Sequence, residues 1–325
     1  MNKQALVAAS LVFASVASAT VQAQAPRYPD HPLRLIVPFP PGSLTDLVSR
    51  IAAQRLAAQM GQQVVVENRV GATGSIGVEA IAKASPDGYN LGLITASTHG
   101  LVPALSTTLP YDPVKDFKPV SMIGEAPYVM VVSNTIPAKT VSEMLAYAKS
   151  RAGQMNYGSA GIGSVAHLAA ALLAQKAGVE MNHIPYKSTA QSSVDLIAGR
   201  LDMQIATVAP TLPAIRDGKM RALATTGKRR LAALPDVPTM MEAGVKDYIV
   251  TLWAAFVTPA GTPDAAVGRL NAGMNAILAE PETIEALRKQ GVEPEASTPG
   301  AVTTRIRDEI AMWRALIAKT GIKVE

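Results

Sequence analysis

The sequence predicts an α/β protein of two tandem, parallel-sheet units followed by a helical tail, and three observations carry that expectation. Short, continuous apolar runs alternate with stretches whose apolar residues recur at helical spacing, the pattern of strands covered on both faces by helices. The alternation restarts after Pro127 and runs through a second time. In each half a Gly/Ser-rich loop separates an early strand from the helix after it.

Taken in order, residues 1–25 are expected to be a leader. Asn2 and Lys3 are polar and basic, residues 5–17 form an apolar core, and Val21-Gln22-Ala23 fits an A-x-A-like cleavage site. That is the pattern of a secretory signal peptide, cut near Ala23 or Ala25. Its apolar run is too short to cross about 30 Å of hydrocarbon. "LRLIVPF" (33–39) reads as a buried strand. Leu44, Leu47, Val48, Ile51 and Leu56 then recur at helical spacing, with Gly61 as a stop. "VVVEN", the loop and helix of "GATGSIGVEAIAKA", and the turn and strand of "SPDGYNLGLIT" complete the first unit. In the second, "YVMVVS" is a strand and "TVSEMLAYAKSRAG" a helix with Thr140 and Glu143 as a capping box. "MNYGSAGIGSVAHLAAALLAQKAG" is a strand, a loop and a helix stopped by Gly178, and "HIPY", a short helix, "LDMQIAT" and "RALATT" follow. The tail has apolar helical faces (Leu270, Met274, Ile277; Ile306, Ile310, Trp313, Ile317) and is expected to return to the first unit. The chain would then cross twice, near 124–128 and 249–256, giving a hinged clamp with a cleft.

Composition narrows the chemistry. The 325 residues contain no cysteine, which excludes disulfides, thiolate metal sites and a thiol nucleophile. A net charge of +5, or +4 once Lys3 leaves with the leader, is scattered, with "KRR" at 228–230 the longest basic cluster. Aromatics are 4% and not interleaved with basic residues, so no nucleic-acid surface is expected. The four histidines (His31, His99, His167, His183) show no metal-ligand spacing, and no metal or cofactor is expected.

The two loops are the informative feature. A helix start leaves backbone N–H groups without helical partners and carries partial positive charge, so it attracts anions. "PPGSLTD" and "GSAGIGS" each place such a start at the carboxyl end of a strand, where open α/β sheets bind ligands, and "RVGATGS" would lie beside the first. Ser43 or Thr45 would cap the first helix, with Asp46 in its opening turn. "GSAGIGS" lacks the Lys-Ser/Thr ending of a P-loop. As a dinucleotide fingerprint it lacks an acid about 20 residues on, where Tyr186 and Lys187 stand. Neither Ser159 nor Ser164 has the G-x-S-x-G setting of a nucleophile elbow, and His167 is expected to fix the loop.

At these residues the sequence resembles a known family. "YPDHPLRLIVPFPPG…TD", "VVVENRVGATGSIG", "SPDGY", "LPYDPVKDFKPVSMI", "YGSAGIGSVAHLA", "HIPYK", "LPDVPTMMEAG" and "PAGTP", in that order from Tyr28 onward, are similar to the tripartite tricarboxylate transporter substrate-binding proteins, the Bug receptors. The resemblance implies a monomeric periplasmic binding protein of Venus-flytrap, type II-like architecture, with two doubly wound sheets joined by two crossing strands. Its lobes would be 26–127 with 252–325, and 128–251. It implies capture of a small carboxylate for a two-component membrane permease, with no bond made or broken. Carried over, Phe39, Gly42, Ser43 and Asp46 would line the first lobe, with Ala72, Thr73, Thr95, Ser97 and Thr98 nearby. Ser159, Ala160, Gly161, Gly163, Ser164 and His167 would line the second, with Thr207 deeper. The chain departs from the family at Ser43 and Ser188, where glycine is common, and at Thr207, where Asp is common. The last departure favours a ligand without an ammonium, an aromatic or aliphatic dicarboxylate. The competing readings are a periplasmic hydrolase and a ligand-sensing receptor of a signalling system.

Overall fold

The computed structural model describes residues 28–106, 108–186 and 188–321; the leader and its cleavage site lie outside them. The first unit runs β1 (Leu33–Val37), α1 (Leu44–Met60), β2 (Val64–Asn68), α2 (Ser75–Ala82), β3 (Asn90–Thr95) and a one-turn α3 (Val102–Leu105). A long strand, β4 (Phe117–Val132), leads into α4 (Val141–Ser150), β5 (Asn156–Ser159), α5 (Val165–Ala177), β6 (Asn182–Pro185), α6 (Thr189–Ile197), β7 (Met203–Thr207), α7 (Val208–Arg216) and β8 (Arg221–Thr225). The chain ends with β9 (Thr251–Pro259), α8 (Asp264–Leu278), α9 (Pro281–Lys289), β10 (Glu293–Pro294) and α10 (Pro299–Thr320).

Two mixed sheets share β4, which begins at Phe117 rather than at Tyr128, where the sequence reading starts it. In the first sheet β1 lies parallel between β2 and β3, and β9 joins β3 to β4 by antiparallel pairing. In the second, β4 pairs antiparallel with β7 and β8, while β7, β5 and β6 run parallel. The change of sheet falls between Pro127, opposite Thr251 of β9, and Tyr128, opposite Thr207 of β7. This is the α/β, two-lobe architecture expected from the sequence, but both sheets are mixed rather than parallel, because the crossing strands β4 and β9 run antiparallel to their neighbours.

Local signals act as the sequence predicts at most helix ends. Gly61 and Gly178 end α1 and α5 in the left-handed conformation that glycine adopts without a Cβ penalty. Thr140 caps α4 by accepting from Glu143 N, but the reciprocal arm differs: the Glu143 carboxylate accepts from Lys139 N at 2.7 Å.

The tail differs from expectation in one respect. Val302, Ile306 and Ile310 of α10 pack with Ile94, Trp253 and Val257 against the first sheet. Trp313 and Leu316, farther along the same helix, are buried with Tyr128, Met130 and Leu168 of the second unit. Helix α10 therefore braces both units. Between the two packing zones sits buried Glu309, whose carboxylate accepts from the indole N–H groups of Trp253 and of Trp313, the latter at 3.2 Å.

Candidate functional site

The first candidate loop is held by its own side chains. Prolines at 38, 40 and 41 lack the N–H a strand needs, so β1 stops, and Gly42 turns the chain with φ 79°. Ser43 is extended and its Oγ accepts from Asp46 N at 3.3 Å, so Ser43, not Thr45, caps α1. Asp46 is 2% exposed and faces inward. It accepts from Gly42 N at 2.9 Å, Asn68 Nδ2 at 2.8 Å and Arg50 Nε at 3.0 Å. Burial pushes its carboxyl up, but the bonds from Arg50, Asn68 and Gly42 outweigh burial and hold it below the usual carboxylate range. Asn68, which the sequence reading did not single out, also donates to Phe39 O at 3.0 Å.

Neighbouring loops close in on the same point. A Cβ on Gly74 would lie 2.9 Å from Thr98 and 3.4 Å from the Phe39 ring, so the ends of β1, β2 and β3 meet there. Ala72 and Thr73 have φ of 45° and 55°, a backbone region costly for side-chain-bearing residues and concentrated at functional sites. Thr95 and Thr98 cap one another around a π-helical turn, Ala96–Leu101: Thr98 N donates to Thr95 Oγ1 and Thr95 N to Thr98 Oγ1. Their hydroxyls are thereby committed. Ser97, half-buried, keeps a hydroxyl with no partner among the described residues.

The second loop repeats the plan. Ser164 caps α5 by accepting from His167 N at 3.2 Å and donates its own hydroxyl to Gly161 O at 2.8 Å. Gly163 N donates to His167 Nδ1 at 3.1 Å, the loop-fixing role expected for that histidine. Ser159 is sealed from solvent and bonded both to Gly161 and to His183 Nε2, the latter at 2.6 Å. The His183 ring stacks on His167 with centroids 3.8 Å apart. Burial, then the His183 ring, pushes His167 down to about 4, and burial lowers His183 as well. Thr207 ends β7 beside Tyr128, and its side chain makes no capping bond.

In both loops, then, most side chains face inward and shape the turn. The backbone adds its own donors: the N–H groups of Leu44 and Thr45 at the start of α1, and of Val165 and Ala166 at the start of α5, have no acceptor within their helices. Ala160 and Gly42 are exposed. Thr95 lies level with Ala254 and Gly124, and Thr207 level with Tyr128. Four strand residues, about 13 Å, thus separate the two rims along β4. Ser159, Gly161, Gly163, Ser164 and His167 are linked to one another by hydrogen bonds, Phe39, Thr98 and the Gly74 turn meet at the end of the first sheet, and Thr207 lies beside Tyr128 of the crossing strand.

The Ser159–His183 pair is a serine–histidine contact that sequence reasoning missed, because it depends on the parallel register placing Tyr157 opposite His183. No carboxylate orients His183 among the described residues, so the pair positions the loop. No group of three or more His, Asp or Glu side chains is placed to hold a metal among the described residues. A separate cavity of about 580 Å³, lined by Lys228, Arg229, Arg230, Glu293 and Glu295, shares no residue with either loop.

Comparison with known proteins identifies the family. Residues 48–322 match the family described as tripartite tricarboxylate transporter family receptor. Protein BugT of Bordetella pertussis is 36% identical over 100% of both chains. Among solved structures, Rpa4515 of R. palustris with adipate is 33% identical, with a TM-score of 0.72 over 91% of this chain and 99% of that one. MatC of Rhodopseudomonas palustris with bound malate is 31% identical, with a TM-score of 0.67 over 89% and 100%. The family match and the full-length relatives show that this chain belongs to the tripartite tricarboxylate transporter receptors, solute-binding proteins rather than enzymes.

Proposed function

We propose that this protein captures a small dicarboxylate, aliphatic or aromatic, between its two lobes and delivers it to a two-component membrane permease. One observation carries the reading. Two helix-starting loops, one per sheet, tie up their capping side chains internally and start helices whose first N–H groups lack helical acceptors, at the ends of strands that meet the crossing strands. Such groups suit an anion: each charge-assisted hydrogen bond contributes about 1.5–3 kcal/mol, and each helix end about 0.3–1 kcal/mol. The ligand-facing set is that named from the sequence, with Asp46, Thr95, Thr98 and Ser159 acting from behind. Exposed Leu47, Val70 and Ile76 beside the first loop and Ile162 in the second supply apolar contact for a carbon chain. Thr207 offers a hydroxyl and no charge for an ammonium.

In this reading the lobes are 26–127 with 252–325, and 128–251, and they close about the Pro127–Tyr128 junction. The receptor works as a monomer in the periplasm after cleavage near Ala23 or Ala25. Adipate and malate, carried by the two structural relatives, are the first probes. Isothermal calorimetry with these, with aromatic dicarboxylates and with aspartate is expected to show binding of an ammonium-free acid. Binding of aspartate alone would reject the Thr207 argument, and binding of no carboxylate would reject the function.

A further inference from the structure

We infer that His183 is a working part of the second loop, and that the stacked His167–His183 pair takes up a proton, at His183, when a carboxylate seats on that loop. This rests on the carboxylate reading above and concerns how the same site holds its ligand.

The hydrogen bonds decide which ring can be charged. His167 Nδ1 accepts from Gly163 N at 3.1 Å, so a proton there would remove the acceptor and break the loop's inner bond. His183 is different. Its Nε2 lies 2.6 Å from Ser159 Oγ, a hydroxyl that can donate to it or accept from it. If the neutral ring accepts, protonation reverses the bond: Nε2–H donates to Ser159 Oγ, and the serine hydroxyl turns to Gly161 O, already 3.1 Å away. If it already donates, the proton goes to Nδ1, which has no partner among the described residues. Either way the loop keeps its bonds.

The surroundings make the uptake depend on the ligand. Among the described residues, the titratable groups in contact with the pair are the two rings themselves and Tyr157 of β5, stacked 5.0 Å from His183 and pushed up to about 12 by burial. Neither ring has an ion pair among the described residues, so in the empty site nothing balances a positive charge and burial keeps both rings neutral near pH 7. A carboxylate on the outer N–H groups of the same short loop is the missing counter-charge. Ligand and proton then favour each other reciprocally.

Calorimetry of adipate, and of malate if adipate gives no heat, at pH 6.5 in buffers of different ionisation enthalpy reads the proton directly. The expected result is a fractional uptake of up to one proton per site, with affinity rising as pH falls from 8 to 6, by at most tenfold per unit. Both probes stay ionised over most of that range. His183→Gln, which keeps a side-chain donor for Ser159 without a titration, is expected to abolish uptake and flatten the pH dependence. His183→Ala should additionally weaken binding at every pH. Binding by the unmodified protein with no uptake overturns the inference and leaves the carboxylate reading standing. Uptake that persists in His183→Gln, or that is lost in His167→Gln alone, overturns the assignment to His183. Absence of heat with every carboxylate rejects both.

Discussion

The carboxylate of Asp46, in the first turn of α1, reaches back to accept the N–H of Gly42 at 2.9 Å, so the helix holds the loop that starts it. Because Asn68 and Arg50 donate to the same buried carboxylate, removing it strands three donors at once. Asp46→Ala is expected to cost about 3 kcal/mol, the lower end for breaking a buried pair, since Arg50 remains half-exposed. Urea unfolding measures the cost, and a change within about 0.5 kcal/mol, the range of ordinary surface substitutions, would reject the role. Carboxylate binding should weaken in parallel, because the buried Asp46 holds Gly42 of the loop.

Glycine at 77 opposes helix propensity for the sake of the same loop. Within α2 an alanine would gain about 1 kcal/mol from propensity. A Cβ there, however, would sit 2.5 Å from Arg69 O and 2.7 Å from Pro38 Cα, both backbone atoms that cannot swing aside. Overpacking of this kind costs about 1–3 kcal/mol, so packing outweighs propensity. Gly77→Ala should lower the thermal midpoint and, by displacing Pro38 and Phe39, weaken ligand binding. A variant as stable as the parent would show that α2 can shift freely, contrary to this packing.

Much of this arrangement was legible in the sequence because the signals are local. The prolines that stop β1, the choice of Ser43 or Thr45 as cap of α1, and Gly61 and Gly178 beyond α1 and α5 each act within one helical turn of themselves. What was not legible depends on register or on contacts between distant segments. His183 is an ordinary residue of a short strand until β6 pairs with β5 and brings it to Ser159. Asn68 is the last letter of "VVVEN" until β2 pairs with β1 and sets it beneath Phe39 and Asp46. The face of α10 reads as one apolar stripe, and nothing in its spacing says that Ile306 and Trp313 pack in different cores.

That double packing makes Glu309 a test of how α10 joins the two cores. It is 7% exposed and receives both tryptophans of the chain as well as Arg305, whose Nη2 donates to Thr251 Oγ1 at the crossing. Glu309→Gln keeps one acceptor oxygen and turns an NH2 group toward a ring of donors. The expected cost is about 1–3 kcal/mol for the stranded groups. Because both indoles report on this one carboxylate, intrinsic fluorescence should change in the same variant without unfolding. An unchanged emission spectrum would mean that the two N–H bonds do not form in solution.

Acid sensitivity should come from two buried imidazoles. His99 has no exposed surface, its Nε2 has no hydrogen-bond partner among the described residues, and burial pushes it down to about 3; His167 is held at about 4. In both, the folded value lies below the unfolded value of about 6.5, so the unfolded chain takes the proton first. Stability is therefore intact above pH 6.5 and is lost as pH falls toward 4. At pH 5, each residue is expected to have cost about 2 kcal/mol relative to pH 7.5. Carboxylates held low, such as Glu67 at about 2 and Asp46, lose their contribution only at lower pH and stay out of this window. Glu309 works the other way: burial raises it against Arg305 and the two indoles, so its share improves as pH falls. The difference between the parent and His99→Gln isolates His99 from these opposing slopes. The parent should lose about 2 kcal/mol more than His99→Gln between pH 7.5 and pH 5 in denaturant titrations. Equal losses would mean that the ring is protonated in the fold, and that the packing of His99 against Tyr111 and Phe117 opens to water on acidification.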